Sequence, residues 1–107
     1  MIRYSLPNDP NFKISITPES ETYTFEIRCI RGLMYAIINN VQNERIAGPV
    51  RICNNQWLMV CEARKPRGAG NFKIIDKWGE YPMFSSFPTS CELQYFSAEE
   101  IKEGAAY

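Results

Sequence analysis

Hydrophobic and polar residues alternate with a period of two through much of this chain. Phe12, Ile14 and Ile16 alternate with Lys13, Ser15 and Thr17, and Tyr23, Phe25, Ile27 and Cys29 alternate with Thr24, Glu26 and Arg28. That period sets one side of a strand on a core and the other in water. Between the two segments "TPESE" places Pro18 among polar residues, which suits a turn because proline fixes φ and lacks the N–H that a ladder needs. "LMYAII" from Leu33 is apolar on both pleat faces, so it is expected to be covered on both sides, by this chain or by a neighbour. "NNVQNE" then turns the chain into a short run at Arg45 and Ile46, which Gly48-Pro49 is expected to end.

Two further strands, "VRIC" and "QWLMVCEA", flank Asn54-Asn55, a pair that tolerates the left-handed backbone of a tight hairpin. The second of them is again apolar on both faces. After "RKPRGAG" comes "NFKIIDKW", in which Phe72, Ile74 and Trp78 share one face and Asp76 interrupts it. The last strand is "CELQYFS", with Cys91, Leu93 and Tyr95 opposed to Glu92 and Gln94. Ser97 and Glu100 have the spacing of a capping box, in which each side chain satisfies the other's backbone N–H at a helix start. One or two helical turns ending near Gly104 follow. About seven short strands at close spacing predict an all-β fold, a small antiparallel sandwich or barrel with a short C-terminal helical turn.

Composition narrows the class without naming a function. The chain has 107 residues, enough for one core, and residues 1–107 are read as a single β-domain. Hydrophobic residues make up 45% and charged residues 22%, which is the balance of a folded globular chain. Lys and Arg number 12, as do Asp and Glu, so no net field draws the molecule to nucleic acid or an anionic membrane. The longest apolar runs fall far short of the roughly 20 residues that cross a bilayer as a helix. "MIRYSLPNDP" has no apolar signal region, so a reducing compartment is expected, with Cys29, Cys53, Cys61 and Cys91 as reduced, apolar packing residues.

The usual catalytic chemistry has few places to sit. The chain has no histidine, which removes Ser-His, Cys-His and carboxylate-His-metal arrangements. The cysteines form no C-x-x-C pair, so neither metal nor cofactor is expected. Asp76, on an otherwise apolar face, reads as a residue that ends a strand or bonds a turn N–H, with acid chemistry in a pocket as the alternative. "ARKPRGAG" supplies Arg64, Lys65 and Arg67 but lacks the G-K-[ST] ending of a phosphate loop. Those cations either face water in a hairpin loop or contact a partner. Trp78, Tyr81, Phe84 and Phe87 lie among Gly79, Pro82 and Pro88, with neither a helical nor a strand period. Core filling under a long loop and an aromatic contact surface are both open to them.

The chain also resembles a known family. The segments "IRYSLPNDPNFKISI", "TYTFEIRCI", "LMYAIINN" and "IAGPVRICNNQWL", and above all "YPMFSSFPTSCELQYFSAEEI", are similar to the baseplate plug proteins of contractile-tailed phages. "RCIRG" and "VQNERIAG" depart from the usual turn residues of those proteins. The resemblance implies a non-enzymatic structural protein of the virion tail baseplate, assembled in the bacterial host cytoplasm. It implies partners among hub, spike or tail-tube subunits, symmetric copies of the chain itself, and a role in closing or bracing the lumen until ejection. Trp78, Tyr81, Phe84, Phe87, Arg64, Lys65 and Arg67 are the candidate partner interface. The competing reading is a small barrel of OB type that binds single-stranded nucleic acid through Arg64, Lys65, Arg67 and nearby aromatics.

Overall fold

A computed structural model describes residues 1–59 and 70–104. Its strands form two antiparallel sheets, and the order of elements follows the alternation in the sequence. In the larger sheet β2 (Phe12–Ile16), β3 (Tyr23–Ile30), β4 (Leu33–Asn39) and β5 (Arg45–Arg51) are neighbours in chain order. In the smaller sheet β7 (Cys91–Phe96) lies between β1 (Ile2–Tyr4) and β6 (Asn71–Asp76). Two open sheets face each other as a sandwich with no closed barrel, so the barrel alternative is corrected, and with it the scaffold of an OB-type reading.

Register explains the core. Phe12 pairs with Ile27 and Ile27 with Ala36, while Ile14 pairs with Phe25 and Phe25 with Ile38, so inward residues of successive strands stack in rows. Phe25, Ile27, Met34, Ala36 and Ile38 are buried, and from the facing sheet Phe72, Ile74, Leu93 and Tyr95 meet them. Phe72 sits at the centre. Its ring meets Phe25, Tyr23 and Tyr95 at centroid separations of 4.7, 5.2 and 5.0 Å, separations at which aromatic pairs add to their area burial.

The two-sided strands are not the ones that composition points to. β4 alternates, with Met34, Ala36 and Ile38 buried and Leu33, Tyr35 and Ile37 half-buried on the outer face. β6 and β7 are instead covered on both faces. The outer cover of the smaller sheet includes Trp57, whose ring meets Phe96 edge-on at 5.7 Å. The Lys73 ammonium lies 4.2 Å from the Trp57 centroid and donates to Asn55 Oδ1 at 3.0 Å; burial lowers its pKa. Lysine is amphipathic enough to line such a layer with its stem.

The segment before the undescribed residues runs along the free edge of β6. Asn55 N donates to the Ile74 carbonyl at 3.1 Å, Leu58 N to the Phe72 carbonyl at 2.9 Å, and Asn71 exchanges two 2.9 Å bonds with the backbone of Met59. Among the described residues "QWLMVCEA" therefore contributes one bridge, Trp57 to Lys73, and no strand; its remainder, 60–63, lies outside the described residues. Asn54-Asn55 does form a turn, with Asn55 at a φ of 59°. Gly48-Pro49 does not end a strand but sits inside β5, joined by a cis peptide bond. An edge strand tolerates the proline because its missing N–H costs no ladder bond on the open side, and the pairing with β4 has register shifts between Ala36 and Asn39.

Helix α1 (Ala98–Lys102) begins with the expected capping box: Glu100 N donates to Ser97 Oγ at 3.2 Å and Ser97 N to Glu100 Oε1 at 3.0 Å. Glu100 Oε2 also accepts from the amino group of Met1 at 2.5 Å, tying β1 to the end of the described chain. Cys29, Cys53 and Cys91 are free thiols. Cys61 lies outside the described residues.

Candidate functional site

The aromatic run after β6 is organised by one carboxylate. β6 ends at Asp76, whose side chain turns back over the following residues. Asp76 Oδ2 accepts from Trp78 N at 3.1 Å and Glu80 N at 2.9 Å, while Oδ1 accepts from Ser90 Oγ at 2.5 Å and Cys91 Sγ at 3.5 Å. Gly79 N closes the turn on the Asp76 carbonyl at 2.9 Å, and Gly79 has the positive φ, 75°, that such a closure favours. Lys77 N reaches the Ser90 carbonyl at 2.8 Å. Thus the expected role of Asp76, ending a strand and bonding turn N–H groups, is what the structure contains.

These bonds set the electrostatics of the turn. The Ser90 hydroxyl, then the Glu80 amide, hold the Asp76 carboxyl below its usual range. Burial, followed by the hydrogen bond to Asp76, pushes the Cys91 thiol up to about 11. The carboxylate is thus fully used as an acceptor. It buttresses a loop and has no free face for acid–base work.

The turn displays Trp78. Its side chain is 72% exposed, the largest exposure among the described large hydrophobic residues. The Lys77 ammonium lies 5.0 Å from its ring centroid, a cation–π distance. Because strand β6 stops at Asp76, Trp78 does not continue the buried face of Phe72 and Ile74. The backbone N–H groups of Lys77, Trp78, Gly79 and Glu80 are all bonded, so the turn that carries Trp78 has little backbone freedom to lose when something covers it.

The other aromatics of the run have different surroundings. Tyr81 is half-buried; its hydroxyl accepts from Met34 N at 2.8 Å, and the Arg51 guanidinium stands 5.5 Å from its ring centroid. Phe84 opens the short 3-10 turn Phe84–Ser86 and is half-buried against the core. Phe87 is completely buried, with its ring edge-on to Phe12 at 6.2 Å. This corrects the placement of Phe87 on a contact surface: its ring fills the core beside β2. Arg64, Lys65 and Arg67 lie outside the described residues.

Sequence patterns missed the cations that accompany the rings of Trp78 and Tyr81. Lys77 and Arg51 each stand over an aromatic side chain, and only the adjacency of Lys77 to Trp78 signals either contact. Beside the turn, a cleft of about 270 Å³ is lined by Arg3, Lys77, Thr89 and Glu92 among others. Arg3 and Glu92 pair across it at 3.4 Å, so its walls are polar and its charges partly matched. Among the described residues no cluster of acidic or cysteine side chains is arranged to hold a metal, and no helix is long and apolar enough to cross a membrane.

The turn thus holds one exposed aromatic ring at the end of β6. No curated protein matches the chain significantly. Over residues 1–99 it matches the family described as Cyanophage baseplate Pam3 plug gp18, and the chain belongs to that family of phage baseplate plug proteins.

Proposed function

We propose that this protein works by contact alone, as a plug component of a contractile phage tail. It binds hub, spike or tail-tube subunits, closes or braces the lumen before ejection, and occurs as symmetric copies in the assembled baseplate. Assembly takes place in the bacterial host cytoplasm. Family membership supports the baseplate setting.

The observation that carries the contact mechanism is Trp78, 72% exposed on a turn locked by Asp76. Tryptophan in a fixed geometry is the residue type most enriched at the energetic centre of interfaces, and Lys77 beside it suits an acidic rim on the partner. Tyr81 and Phe84, both half-buried, are kept as further contacts, and Arg64, Lys65 and Arg67 as rim contacts.

The test is binding of the full chain to the hub, spike and tail-tube proteins of its own phage. Wild type should bind at least one of them, and Trp78→Ala should weaken that binding by about thirtyfold, the scale of an interface hot spot. Circular dichroism and the melting temperature should stay unchanged. A folded Trp78→Ala protein that binds as wild type does would remove Trp78 from the interface; no binding to any of the three would remove the contact reading.

A further inference from the structure

Among the described residues the sandwich has four strand edges, and three are guarded. β1 is three residues long. The open side of β6 is bonded by Asn55 and Leu58, and β5 carries Pro49 and an irregular register. β2 is different. It stands at the end of the four-stranded sheet, is five residues long, contains no proline or glycine, and keeps regular pairing with β3 throughout. Among the described residues no backbone bond reaches its outer side. Regular unguarded edges are the ones that accept another strand.

We propose that β2 pairs with β2 of a second copy of this chain, antiparallel and centred on Ile14, joining the two four-stranded sheets into one. The register follows from the residues. Centred on Ile14, Phe12 of each copy meets Ile16 of the other, Ile14 meets Ile14, and Lys13 meets Ser15. Every inward apolar residue faces an apolar partner, and the half-buried Phe12, Ile14 and Ile16 gain cover on their open flank. Centring on Lys13 would set two ammonium groups directly opposite, which is unfavourable. Centring on Ser15 would push Phe12 against Pro18, beyond the strand. A shift by one residue would send the apolar set to the wrong face. Lys13, the single charge of β2, thus selects the register without blocking the pairing. A ladder this short lies at the low end of specific interfaces, below about 1,200 Å², so the association is weak and visible at high concentration.

This inference does not rest on the plug reading, since it uses only the edge of the four-stranded sheet, whereas Trp78 follows β6 of the smaller sheet. The test is sedimentation and dilution-dependent amide shifts of the full chain from low micromolar to millimolar concentration. Wild type should dimerise, with the concentration-dependent shifts centred on residues 12–16. Ser15 is exposed, so its replacement leaves the core alone. Ser15→Lys sets a second ammonium opposite Lys13 in both halves of the pair and should weaken the dimer about three- to tenfold; Ser15→Glu should tighten it by a similar factor. A monomer at millimolar concentration, shifts centred elsewhere, or equal dimerisation of both variants would each overturn the proposal.

Discussion

Phe87 and Trp78 belong to one aromatic run, yet one ends fully buried and the other largely exposed. No period in the run distinguishes them. What decides is the partner across space: Phe12 reaches Phe87 from β2, whereas the turn around Asp76 carries Trp78 away from the core. The consequences for stability differ accordingly. Phe87→Ala should cost about 3–5 kcal/mol in denaturant unfolding, the usual range for emptying a buried aromatic site. Trp78→Ala should stay within about 0.5 kcal/mol of wild type, as an exposed position away from structural features does. Asp76, by contrast, was legible. An aspartate closing an apolar strand, with glycine three residues on, has little else to do but bond the turn.

At the level of elements, alternation identified β2, β3 and β7 because their inward faces are uniform and long enough to show a period. β1 has only three residues and no such signal; its pairing with β7, Ile2 to Tyr95 and Tyr4 to Leu93, is a tertiary event. The reading of Gly48-Pro49 as a strand end failed for a physical reason: proline is excluded from central ladders, but not from an edge. Gly48 itself is required there. Its φ is 93°, and a Cβ on it would lie 2.3 Å from the Ala36 carbonyl oxygen and 2.9 Å from the Ile37 Cα, both of them backbone atoms of the neighbouring strand. Gly48→Ala should therefore destabilise the fold by about 1–3 kcal/mol or more. Faster amide exchange along β4 and β5 than elsewhere would locate the damage.

For the whole molecule, the titrating groups bound a pH window of stability. Glu26, Asp76 and Glu100 have carboxyl groups held below their ordinary range, by the Arg28 guanidinium, by the Ser90 hydroxyl and the Glu80 amide, and by the Met1 amino group respectively. A lowered folded value means stability that is present above the ordinary carboxylate range, about pH 4, and lost as pH falls through the lowered values. At the other limit burial raises Cys91 from its ordinary 9.0 to about 11 and Tyr23 from 10.0 to about 12. Their neutral forms belong to the folded state, so the stability they lend is complete below pH 9 and is lost as pH rises toward those raised values. The melting temperature should therefore be level through neutral pH and fall on both sides. Ser90→Ala removes the first cause of the Asp76 shift, so it should lower the melting temperature at neutral pH and make the acid-side fall shallower, with its onset still near the ordinary carboxylate range of about pH 4. A melting temperature that ignores acid in wild type and variant alike would show that Asp76 does not tie the Trp78 turn to the rest of the sandwich.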